Sequence, residues 1–168
     1  GIATMGTEHG ESAHSLAVDY LRRKYDKPGR VYLGVVSRLD RVTSGVLVLA
    51  RTSKAASRLV PQFGQTGRRQ DRKYGRAVKL YLAVVEGRLR EDAGEWACGV
   101  SKDDAARRMR VVPMSEPGAA DARLRFWTLH RAPDATLAAV QLLTGRKHQI
   151  RVQFADAGHP VWGDRKYG

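Results

Sequence analysis

The 168-residue chain has a single cysteine, Cys98, so no intrachain disulfide can form. That excludes a disulfide-stapled secreted scaffold and fits a reducing compartment, so a cytoplasmic location is expected. Long apolar runs are missing too. The longest purely aliphatic stretch is Val46 to Ala50, far short of the about 20 residues a bilayer helix requires, and no membrane partner is expected. Gly1 to Gly10 contain no apolar signal-peptide core. There is no GxxxxGK followed by serine or threonine, no GxGxxG after a strand and no GxSxG elbow, which removes the common nucleotide cradles and the serine-hydrolase turn. The five histidines (His9, His14, His130, His148 and His159) lack a metal-ligand spacing. Neither a metal nor an organic cofactor is expected.

What the chain has is positive charge. Thirty Lys and Arg against 17 Asp and Glu give a formal charge of +13, which points to a polyanionic partner. Residues 1–84 carry 16 basic and 6 acidic side chains, and residues 85–168 carry 14 and 11. The densest stretch is Arg68, Arg69, Arg72, Lys73, Arg76 and Lys79, opposed only by Asp71. Such a run can cross phosphates and release counterions; the plainer reading is a solvated basic loop. Membrane-surface binding is the weaker rival, because no segment joins this charge to a strong apolar helical face.

Hydrophobic residues make up 42% of the chain, enough for a core. Ser12–Tyr25 reads as a helix stopped by Asp26-Lys27-Pro28-Gly29, and Val31–Val36 as a short β-prone run. Asp40–Gly45 reads as a loop. Val46–Ala50, apolar throughout, predicts a central strand hydrophobic on both faces. Thr52 or Ser53 caps a helix to about Phe63. Val78–Glu86, Trp96–Ser101, Met109–Pro113, Arg123–Arg131 and Thr136–Leu143 are strand candidates. Arg123, Arg125 and Thr128 interleave with Leu124, Phe126 and Leu129, as on a sheet with one wet face. Lys147–Ala157 reads as a helix with Ile150, Phe154 and Ala157 on one face, stopped by Gly158-His159-Pro160. Strands outnumber helices and come in runs, which favours an α+β fold with a mixed or antiparallel sheet.

The segment Ser37 to Gly45 places one carboxylate, Asp40, between Arg38 and Arg41 in a loop before an apolar run. Cationic neighbours favour an ionised carboxylate, which could serve as nucleophile or base. Composition alone favours the plainer reading, an aspartate that caps a turn or pairs with an arginine.

Arg38-Leu39-Asp40-Arg41-Val42-Thr43-Ser44-Gly45 resembles the RLDxxTSG signature of the RNA pseudouridine synthases of the RluA type. Lys79 to Gly87 resembles that family's KxYxAxVxG strand. Thr144-Gly145-Arg146-Lys147-His148-Gln149-Ile150-Arg151 resembles its TGRxHQIR block, and Gly158-His159-Pro160 with Gly163-Asp164 its GHPIxGD. The blocks occur in the family's order and reach from about residue 37 to the C-terminus.

The resemblance implies an α+β catalytic domain over 1–168, with a mixed, largely antiparallel sheet and flanking helices around a central RNA-binding cleft. It implies an isomerase that breaks the N-glycosidic bond of a uridine in ribosomal or transfer RNA, turns the base and rejoins it through carbon. Asp40 would be the nucleophile, Arg151 its charge-assisted partner, and Tyr81 the phenol that packs on the base or moves a proton. Arg38 matches the position thought to fill the space left by the flipped nucleotide. RNA contacts are expected from Arg41, Thr43, Arg146, Lys147, His148 and Gln149, and from Arg68, Arg69, Arg72 and Lys73 of the basic stretch.

The sequence departs from the pattern at Ser37 and Gln153, each where histidine is usual, at the large Trp162, and in the longer, more basic 64–78. Relatives have a KPxG strand before the segment matching Gly1 to Thr4 and a further strand after Gly168, so a piece shortened at both ends is expected. No S4-type RNA-binding domain and a monomeric state are expected. A non-catalytic RNA-binding module on the same scaffold is the alternative; Asp40, Tyr81 and Arg151 together argue against it, because binding alone needs none of them.

Overall fold

The computed structural model describes residues 1–6, 10–64 and 75–168. Arg68, Arg69, Arg72 and Lys73 lie outside the described residues. The chain divides into two compact units, Gly1–Ala77 and Val78–Gly168.

In the first unit, α1 (Ala13–Lys24) starts at a capping box. Ser12 Oγ accepts from Ser15 N at 3.1 Å, and Ser15 Oγ accepts from Ser12 N at 2.9 Å, satisfying two of the amides a helix start leaves unpaired. Two more, Ala13 N and His14 N, donate to Ala3 O and Thr4 O. The helix start therefore holds the N-terminal segment in place. Arg22, Arg23 and Lys24 fill the last turn, where the helix dipole favours cations. β1 (Gly34–Val35) pairs antiparallel with β2 (Leu49–Ala50). α2 (Ser53–Phe63) follows, its first turn capped by Thr52 Oγ1 accepting from Ala55 N at 3.1 Å. A side chain at Gly34 would meet Tyr32 Oη at 2.9 Å and Ala56 Cβ at 3.0 Å, so a glycine lets α2 approach the ribbon.

The expected central strand Val46–Ala50 is not formed. Only Leu49 and Ala50 pair, in a two-stranded ribbon, and Val46 is 85% exposed. The ladder ends because the amides of both Val36 and Ser37 donate to Val48 O, while Ser37 Oγ accepts from Val48 N at 3.1 Å. A side chain takes the place of the next rung. An apolar run guarantees neither burial nor pairing.

The second unit is a five-stranded sheet in the order β3-β7-β6-β4-β5, with every pairing antiparallel. Its strands are β3 (Lys79–Glu86), β4 (Ala93–Asp103), β5 (Arg108–Val112), β6 (Ala120–Arg131) and β7 (Ala135–Leu142). The expected largely antiparallel sheet is found. Ala83, Val85, Leu124, Phe126, Ala138 and Val140 alternate inward along their strands and enclose Phe154 of α3 (Gln149–Asp156). Trp96 packs its ring centroid 4.6 Å from that of Phe126 and 4.7 Å from that of Phe154. Burying each such side chain contributes roughly 1.5–3 kcal/mol.

Two expectations for this unit need correction. Leu129 is 54% exposed, because it stands an odd number of residues from Leu124 and Phe126 and so falls on the wet face with Arg123 and Arg125. The last helix begins at Gln149, since His148 adopts φ +55°, and Ala157 lies exposed past its end. Its inner face includes Gln149 and Gln153 as well as Val152 and Phe154.

A Cβ at Gly94 would lie 2.6 Å from Cε1 of the buried Phe126 ring. Gly94→Ala is therefore expected to destabilise by about 1–3 kcal/mol through overpacking, read as a lower urea midpoint at unchanged slope. No helix among the described residues is long and apolar enough to cross a membrane.

Candidate active site

In the first unit the loop after β1 carries Arg38, Asp40, Arg41 and Thr43. Asp40 opens a turn: its carbonyl accepts from Thr43 N at 2.9 Å. The residue before it is clasped by Thr4, whose Oγ1 donates to Leu39 O at 3.0 Å and accepts from Leu39 N at 3.2 Å. Thr4 is itself held by the first turn of α1, so the helix start fixes the backbone on which Asp40 sits. Asp40 is half-buried, while Arg38, Arg41 and Thr43 are exposed. Arg41 Nε donates to Gly1 O at 3.1 Å, a second tie between the N-terminal segment and the loop. Ser37, where histidine was expected, closes the base of the loop through Val48.

Thr4 was not singled out by sequence reasoning. Its importance lies in a contact across 35 residues, for which no local pattern exists. Thr4→Val is expected to lower protection of the Leu39 amide against hydrogen exchange by about tenfold, the loss of roughly 1–1.5 kcal/mol of hydrogen bonding.

In the second unit Tyr81 sits on β3 opposite Val140, half-buried against the core. Arg151 projects from α3 into a bidentate ion pair with Asp164: Nε to Oδ2 at 2.6 Å and Nη2 to Oδ1 at 2.8 Å. The Asp164 side chain is 5% exposed and that of Arg151 is 20% exposed. Asp164 Oδ1 also accepts from Lys166 N and Tyr167 N. The Arg151 guanidinium, with these amides, holds the Asp164 carboxyl below the usual carboxylate range, against the opposing effect of burial. The Tyr167 ring lies beneath the guanidinium, its centroid 5.0 Å from Cζ. Its hydroxyl accepts from Met109 N at 3.0 Å and shares a hydrogen bond with His148 Nδ1 at 2.8 Å. Asp164 and Tyr167 thus orient Arg151. Neither was named as a site residue, although Asp164 stands in the matched GHPIxGD block.

The other residues of the helix start differ in exposure. Lys147 is exposed, and Arg146 is half-buried with Nε donating to Asp121 O at 2.8 Å. Gln149 is only 2% exposed. Its Oε1 accepts from Thr144 Oγ1 and Arg146 N, and its Nε2 donates to Arg123 O and to Gln153 Oε1. Gln149 builds the turn that presents Arg146 and Lys147. Gln153, the other departure from histidine, closes this network, and its Nε2 also reaches Cys98 Sγ at 3.3 Å. Burial pushes the Cys98 thiol up, and that hydrogen bond partly offsets the rise. Among the described residues no group of His, Cys, Asp or Glu is arranged to hold a metal.

Residues 1–156 match the family model described as RNA pseudouridylate synthase. The chain belongs to this family. An uncharacterized RNA pseudouridine synthase of Chloroflexus aurantiacus is 42% identical over 141 residues, 83% of this chain and 40% of that protein. Ribosomal large subunit pseudouridine synthase C of Escherichia coli is 34% identical over 160 residues, 95% of this chain and 47% of that protein. The chain thus spans less than half the length of these relatives. Human RNA pseudouridylate synthase domain containing 4 shares the fold with a TM-score of 0.77 at 23% identity, covering 100% of this chain and 62% of the human one. The Asp40 turn and the Arg151–Asp164 pair both belong to a chain with the pseudouridylate synthase fold.

Proposed function

We propose that this chain isomerises uridine to pseudouridine in structured ribosomal or transfer RNA, with Asp40 as the nucleophile. The observation that carries the reading is the family match over residues 1–156, which includes Asp40, Tyr81 and Arg151. Substrate and product are isomers, so the reaction needs no water and no redox partner. The bond between N1 and the sugar breaks, a bond from C5 to the same sugar carbon forms, and the proton leaving C5 is balanced by one gained at N1. A carboxylate can form and release a sugar or base adduct, or stabilise a cationic sugar, without being consumed. The pinned turn supports this role, because a nucleophile works best when its backbone is already placed.

In this reading Arg151, oriented by Asp164, is the charge-assisted partner of Asp40. Tyr81 packs against the base, and Arg38 takes the space of the extruded nucleotide. Arg41, Thr43, Arg146, Lys147 and His148 contact the RNA, with Gln149 supporting them from inside. Arg68, Arg69, Arg72 and Lys73 add sequence-independent phosphate affinity. The name of the Escherichia coli relative favours ribosomal RNA as the first substrate to try.

The test is to incubate the chain with ribosomal and transfer RNA and map pseudouridine by chemical labelling and reverse transcription. New labelling at discrete uridines is expected. Tight RNA binding without any new pseudouridine would mean a binding module instead.

A further inference from the structure

Beyond the strand that bears Tyr81, the turn linking β3 to β4 forms a basic pocket. Arg88, Leu89, Arg90, Asp92 and Arg131 line a shallow, open depression of about 420 Å³. Leu89 is buried in the core. Its amide and the Gly87 carbonyl are both held by the buried Thr136 hydroxyl, at 3.1 Å and 2.8 Å. Fixing Leu89 inward turns its neighbours Arg88 and Arg90 outward, and both are exposed.

Four further carbonyls of the turn are also engaged. Arg131 donates to Leu89 O at 2.7 Å and Arg90 O at 3.2 Å, and Thr128 donates to Glu91 O and Asp92 O, each at 2.8 Å. The turn is thus rigid before any ligand arrives. Its acids are Glu91 and Asp92, and Asp92 is paired with Arg131 at 2.8 Å. Arg88 and Arg90 make no ion pair among the described residues. Two unpaired guanidiniums beside a third, on a braced turn, suit bidentate recognition of phosphate oxygens.

We propose that this pocket is a second docking site for the RNA backbone, taking phosphates at a distance from the target uridine. The inference rests on RNA being the substrate, as proposed above. Tyr81 lies five residues from the end of β3, about 17 Å along the strand. The pocket therefore serves a different stretch of RNA from the reacting nucleotide, positioning it without reading its bases.

The test is filter binding of purified bacterial ribosomal RNA between 50 and 300 mM salt, for the wild-type chain, R88A/R90A and R88K/R90K. Pseudouridine mapping of the wild-type reaction runs alongside. R88A/R90A is expected to bind at least tenfold more weakly at low salt. Its slope of log affinity against log salt should be shallower by about 1.4–1.8, since each of the two lost phosphate contacts removes roughly 0.7–0.9. R88K/R90K, which keeps the charge, should retain the wild-type slope. An unchanged slope in R88A/R90A, with affinity within twofold of wild type, overturns the site. If pseudouridine still forms in that case, the isomerase reading survives alone. A reduced slope without wild-type pseudouridine leaves the docking site standing and removes the isomerase reading. Failure of the wild-type chain to bind RNA overturns both.

Discussion

Arg151→Met is expected to lower the melting temperature by about 6–12 °C and to abolish most pseudouridine formation. Arg151 and Asp164 form a bidentate pair in which the carboxylate side chain is 5% exposed. Removing the guanidinium strands a charge away from water, which for a buried pair costs about 3–5 kcal/mol. The fifth of Arg151 that stays exposed places the expectation near 3 kcal/mol, which gives that shift in melting temperature for a chain of this size.

Asp164→Asn is milder, about 1.5–3 kcal/mol, because the cation left behind can still reach solvent. The double variant should lose less than the sum of the two singles, as contacting residues do. The pair also fixes the acid limb of stability. Asp164 titrates lower in the folded chain than its usual value near 3.9. Its stabilisation is therefore complete above about pH 4 and drains away as the pH falls through the lower folded-state value. Urea midpoints from pH 6 to pH 2 should show this loss in the wild-type chain, and Asp164→Asn should lack that part of it.

The sheet was legible because its strands alternate. Leu124 and Phe126 point inward while Arg123 and Arg125 pair with Asp121 and Glu95 on the wet face. Leu129 was placed with the inner residues only because it is apolar; counting by twos from Phe126 puts it on the wet face, where it lies. The cap at Thr52 was legible because a cap is a local event within three residues. Val46 was misplaced for the converse reason, since burial of an apolar run depends on what lies beside it. In the candidate site, Asp40, Tyr81 and Arg151 stood out through motif resemblance. The residues that orient them did not: Thr4 acts across 35 residues and Asp164 across 13. Gln149 looked like a phosphate contact because its amide is polar and its position opens a helix. Its role inside the turn follows from its partners Thr144, Arg123 and Gln153.

Asp40→Asn is expected to reduce pseudouridine formation by about 10³-fold or more, the scale at which removal of a nucleophile is felt. The substitution keeps size and shape. The turn bond from Thr43 and both Thr4 bonds to Leu39 use main-chain atoms of residues 39 and 40, so the loop should persist. Counterion release through the surrounding arginines is untouched, so RNA affinity should stay within a few-fold. The decisive measurement sets the two proteins side by side on one ribosomal RNA preparation, at saturating protein, and counts pseudouridines per RNA over time. The account predicts a steady rise for the wild-type chain and a flat line for Asp40→Asn, with both binding the RNA. A variant that still makes pseudouridine at a tenth of the wild-type rate or faster would contradict it.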